Sequence, residues 1–109
     1  MKLIVAIVQD KDANTLSSEF VKANVRATKL STTGGFLKSG NTTFIIGIDD
    51  ERVEDVLKII RETSHARDQF MAPPVNVDVT GDSSMSYPIE VQVGGATVFV
   101  VPVEQFHRF

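Results

Sequence analysis

The run Leu3 to Val8 constrains this chain more than any other stretch, because six consecutive apolar residues leave neither face of a strand free to meet water. A strand apolar at both parities must be covered twice, once on each side of its sheet. With 109 residues there is material for one domain, 1–109, and for a core of ordinary size, but little for two full covering layers. The second cover is therefore expected to come from elsewhere.

The chain after this run supplies the first cover. Asp10 and Asp12 read as cap and first-turn acids, and Ala13, Leu16, Phe20 and Ala23 recur at three and four, predicting a helix over 11–23. Asn24 tolerates the left-handed geometry that closes such a helix. Two alternating runs follow, giving strands over 25–32 and 41–48 joined by a connector of turn formers, Thr33, Gly34, Gly35, Ser39 and Gly40. Alternation sends Arg26, Thr28 and Leu30 to one side and Val25, Ala27 and Lys29 to the other.

Asp49, Asp50 and Glu51 then mark the start of a second helix, whose stripe Val53, Val56, Leu57 and Ile60 carries it to about Ala66. Helix capping explains these adjacent acids without a metal ion. Residues 69–95 are less regular. Val75, Val77 and Val79, and then Ile89, Val91 and Val93, alternate with polar residues and predict an accessory hairpin with its tip near Gly81. A last strand spans 96–103.

This order, strand, helix, strand, strand, helix, strand, is the α+β ferredoxin-like arrangement, an antiparallel four-stranded sheet with both helices on one face. The other face should be polar, yet Leu3 to Val8 and the strand 41–48 are apolar on both sides. A homo-oligomer that covers it is the expected resolution.

Composition narrows the function classes. A net charge of −3 with no basic stripe speaks against a general DNA or RNA binder, so an anionic ligand has to be met locally. There is no cysteine, which excludes thiolate metal sites and disulfides. The apolar run at the start is too short for a signal segment, and no window is long enough to span a bilayer, so a cytoplasmic protein is expected.

Local provision for an anion is found in the hairpin. Arg26 offers a guanidinium and Thr28 a hydroxyl on the same side, Gly34 and Gly35 offer bare amides, and Phe36 and Leu37 offer apolar surface for a base. The same residues also read as an ordinary turn with a tucked-in aromatic, and by themselves they leave both readings open. Catalysis through His65 or His107 has little support. His65 sits at a helix end and His107 in a terminal tail, neither spaced from a second catalytic group.

The segments KLIVAIVQD, RATKL, TTGGFLKSGNTTF and VGGATVFVVPVEQF, taken together and in this order, resemble the PII-like cyclic-di-AMP receptor family. The resemblance covers the whole chain. It implies a non-enzymatic signal-transduction protein of the cytoplasm, a homotrimer of ferredoxin-like subunits of the kind found in Gram-positive bacteria, that binds cyclic di-AMP between adjacent subunits without a further cofactor or metal. The site residues it implies are Asn24, Arg26, Ala27, Thr28, Gly35, Phe36, Leu37, Asn41, Gly47 and Phe99. Two departures stand out, the first from classical ATP-binding PII regulators and the second from the resembled family itself. The connector 32–40 is short and has no tyrosine to modify, since Tyr87 lies in the other insertion, and the segment 73–86 is unlike its relatives. The downstream protein is not legible from the sequence.

Overall fold

The computed structural model describes residues 1–31, 40–71 and 89–109. Strand β1 (Lys2–Gln9) runs into helix α1 (Asp10–Lys22), followed by β2 (Thr28–Ser31) and β3 (Asn41–Ile48). A 3-10 turn (Asp50–Arg52) opens α2 (Val53–Ser64), and β4 (Arg67–Met71), β5 (Ile89–Val93) and β6 (Ala96–Pro102) complete the order. Four strands form one antiparallel sheet in the order β2-β3-β1-β6, as the ferredoxin-like reading requires, while β4 and β5 pair separately.

Both helices lie on one face of the sheet. Ile4, Ala6 and Val8 of β1 and Phe44, Ile46 and Ile48 of β3 point into the core, where they meet Leu16 and Phe20 of α1 and Val56 and Ile60 of α2. Phe20 and Phe44 meet edge to face with centroids 5.6 Å apart, a geometry that aligns ring edge and ring face favourably.

The opposite face follows the other parity. A row across the sheet runs Thr28, Ile45, Val5, Phe99, and beside it Gly47, Leu3 and Val101 are in register. Phe99 is 54% exposed, and Leu30 and Val101 are exposed as well. Among the described residues, the apolar face expected from Leu3 to Val8 is therefore left uncovered in the single chain.

Element boundaries depart from the sequence reading where side chains take other work. Strand β2 begins at Thr28, not at 25, because the residues before it close α1. The amides of Val25 and Asn24 donate to the carbonyls of Phe20 (2.8 Å) and Val21 (3.1 Å), with Asn24 left-handed at φ 56°. This is a Schellman closure, and Val25 packs in the same core cluster as Phe20. Helix α2 stops at Ser64, two residues early, where the carbonyl accepts from the Gly95 amide at 2.7 Å.

The acids at the helix starts do not cap through their side chains. Asp10 Oδ1 instead accepts from Thr42 Oγ1 at 2.6 Å, and Asp12 pairs with Arg67. Asp50 meets the amino group of Met1 at 2.9 Å, and the hydrogen bond from that ammonium holds its carboxyl below the usual aspartate value. Among the described residues the insertion also holds a pairing that the sequence reading did not include. Strand β5 pairs with β4, Arg67 opposite Val93, whereas the predicted partner 75–79 lies outside the described residues. Arg67, Asp68 and Gln69 show no apolar alternation, and the strand is held at its base by ionic contact that periodicity does not register.

Candidate functional site

The closure of α1 determines where the site begins. Arg52, at the end of the 3-10 turn, donates from Nη2 to the Ala23 carbonyl (2.7 Å) and from Nη1 to the Asn24 carbonyl (3.3 Å), satisfying acceptors that a helix end leaves open. Asn24 is thus locked in its left-handed turn, and the chain leaves it directly into Arg26, Ala27 and Thr28.

Those three residues line a cleft of about 670 Å³ together with Gly47, Leu3 and Ile45 from the sheet and Met1, Val103, Phe106 and Arg108 from the chain ends. Thr28 lies opposite Ile45 in the ladder, and following the two strands two residues further brings Arg26 toward Gly47. Two guanidiniums, Arg26 and Arg108, line this cleft, and among the described residues no side-chain carboxylate does. In a chain of net charge −3, that is a local reversal of sign suited to an anion. Leu3, Ile45 and Phe106 give it apolar walls.

Gly47 is informative for what it does not touch. A Cβ built there meets no heavy atom of the described residues within 4 Å, so packing within the chain does not ask for glycine at this position.

The remaining predicted site residues are distributed as follows. Asn41 is the first residue of β3, opposite Gln9, and four residues along the strand from Ile45, about 13 Å at the rise of an extended chain. Phe99 lies on the far edge strand, three strand spacings from Thr28 or about 14 Å. Gly35, Phe36 and Leu37 lie outside the described residues. One chain therefore brings together Arg26, Ala27, Thr28 and Gly47, while Asn41 and Phe99 stand apart from their cleft.

Sequence reasoning missed Arg52, Phe106 and Arg108. Phe106 ends the motif VGGATVFVVPVEQF, and Arg108 stands between His107 and Phe109, where no periodicity singles out either as a cleft residue. His107 Nε2 donates to Gln105 Oε1 at 3.0 Å and stacks on Phe109, and His65 Nδ1 donates to the Arg61 carbonyl at 3.0 Å. Both imidazoles are engaged with neutral groups.

A second recess, of about 450 Å³, lies between the helices over Ile59, rimmed by Asp12, Glu19, Glu62 and Arg67. Its carboxylates outnumber its cations, which disfavours a phosphate there. Among the described residues, no helix is long and apolar enough to cross a membrane.

An antiparallel sheet in this order, helices on one face and a cationic cleft at the end of β2 define an α+β, ferredoxin-like protein of the PII-like kind. A family model described as cyclic-di-AMP receptor matches residues 1–109, the whole length, and the chain belongs to that family. It is also similar to a functionally unknown protein from Pediococcus pentosaceus ATCC 25745 known from a crystal structure. The two are 63% identical over 99% of this chain and 96% of that one, with a TM-score of 0.79.

Proposed function

We propose that this chain is a cyclic-di-AMP sensor whose site is completed by a second copy of itself in a homotrimer, and that it carries out no catalysis. The observation that carries this reading is the cleft lined by two arginines and, among the described residues, by no side-chain carboxylate, set at the end of the apolar sheet face. A cyclic dinucleotide has two phosphates to be met by guanidinium and hydroxyl, and two bases to be met by apolar and aromatic groups. Arg26 is assigned to phosphate, Thr28, Asn24 and Asn41 to hydrogen bonding, Phe36, Leu37 and Phe99 to the bases, and Ala27, Gly35 and Gly47 to close backbone approach.

The spacing within one chain supports the oligomeric part. Asn41 and Phe99 lie away from the cleft of their own chain, and a neighbour in the trimer would present its own copies across the interface. The exposed apolar face gives that neighbour a surface to bury, and the openness at Gly47 leaves room for a ligand or a partner. Occupancy would act on the segments 33–40 and 69–95 and so on what the trimer contacts in the cytoplasm.

Calorimetric titration with cyclic di-AMP and with ATP, alongside chromatography of the incubated nucleotides, tests the reading. Binding of cyclic di-AMP without turnover is expected. Preferential ATP binding or product formation would replace the sensor with a nucleotide-switched regulator or an enzyme.

A further inference from the structure

Asn41 is set into the fold from both sides by one residue of the neighbouring junction. On one side, the Asp10 amide donates to the Gly40 carbonyl at 3.2 Å, and on the other the Asp10 carboxylate accepts from the Thr42 hydroxyl at 2.6 Å. The contact with Gly40 is so close that a Cβ at that position would collide with the same carboxylate. Thr42 is buried, which fixes its hydroxyl, whereas Asp10 itself is exposed.

The junction that carries Asp10 is itself anchored. Gln9 pairs with Asn41 in the ladder, and its side-chain Oε1 accepts from the Gly94 amide at 2.8 Å, where β5 gives way to β6. A short charge-assisted bond on a junction tied at its far side holds the backbone on either side of Asn41 in place.

We infer that Asp10 is a positioning residue for the ligand site, acting through Thr42 and Gly40 on Asn41. The inference rests on the cyclic-di-AMP reading given above and adds a residue that does not touch the ligand. It also accounts for Asp10 at the start of α1 without a capping bond of its own.

The test is a set of calorimetric affinities for cyclic di-AMP. Asp10→Ala and Thr42→Val are each expected to weaken binding about tenfold, the order of a lost hydrogen bond to a charged group, and the double variant no further. Thr42→Ser, which keeps the hydroxyl, is expected to bind within about twofold of wild type. The decisive arm uses Asn41→Ala as background, where adding Asp10→Ala is expected to change affinity by less than about twofold. Thermal melts of the ligand-free variants run in parallel, so that an unfolded protein is not scored as a weak binder, and Asp10→Asn serves if Asp10→Ala melts early.

An equal loss in the presence and absence of Asn41, or wild-type affinity in both single variants, would overturn the positioning role while leaving the receptor reading intact. Failure of the wild-type protein to bind would overturn the reading itself and the inference with it.

Discussion

The Arg67 guanidinium meets the buried Asp12 carboxylate at 2.7 Å, joining the first turn of α1 to the first residue of β4 across 55 residues of chain. A second nitrogen of the same fork reaches the other carboxylate oxygen at 3.4 Å and the His65 carbonyl at 3.1 Å. Asp12's carboxylate in turn holds the guanidinium above its usual pKa. The fork fits because Gly94, at φ +81°, leaves no Cβ where Nη1 and the His65 carbonyl lie.

Removing one partner strands the other. Arg67→Ala leaves the Asp12 carboxylate buried without its cation and is expected to lower the unfolding free energy by about 1–3 kcal/mol in urea titrations. The pair lies at the base of the β4–β5 pairing, so loss of the strands at 67–71 and 89–93 should precede global unfolding, seen as early amide exchange. An unchanged midpoint would show that Asp12 is rehydrated at no cost.

The uncovered sheet face predicts association. Light scattering at micromolar concentration should give three times the 11.9 kDa chain mass. Val101→Glu places a charge on that face opposite Leu3 and should shift the mass toward the monomer while the circular dichroism of the fold is retained. A monomeric wild type would remove the interfacial site along with the trimer.

Gly47→Val separates fold from function. Nothing in the described chain crowds that position, and valine favours an extended strand, so stability should hold or rise slightly. Affinity for cyclic di-AMP should fall by more than about tenfold if ligand or neighbour approaches the backbone there. Retained binding would leave glycine at 47 without a role in recognition.

These contrasts mark what was legible in the sequence. Periodicity found both helices, the strands 2–9 and 41–48 and the doubly apolar character of the sheet, since each is a matter of which residues leave water. It also identified Asn24 as the left-handed residue. What it missed, Asp12 with Arg67, Asp10 with Thr42, and Arg52 on the end of α1, are polar contacts between residues far apart in the chain. No pattern at spacing two, three or four records such pairs, and each acid had a sufficient local explanation as a helix-start residue. The cleft was half legible for the same reason. Arg26 and Thr28 share a parity, whereas Arg108 arrives from the tail.

Salt distinguishes the charged contact from the apolar one. Arg26→Ala and Phe36→Ala should cost similar amounts, about 1.5–3 and about 1–3 kcal/mol. The ratio of wild-type to Arg26→Ala affinity should shrink as salt rises, because mobile ions screen a charge–phosphate contact. The Phe36→Ala ratio should stay flat or grow. A salt-independent Arg26 effect would reassign that residue to structure.

The stoichiometry of cyclic-di-AMP binding, measured by calorimetry on wild type and Arg26→Ala, tests the proposed site most directly. One ligand per chain, saturable, with affinity reduced at least about tenfold in the variant while the trimer mass is unchanged, is the predicted result. No heat of binding in the wild type, or a variant that binds as tightly as the wild type, would contradict it.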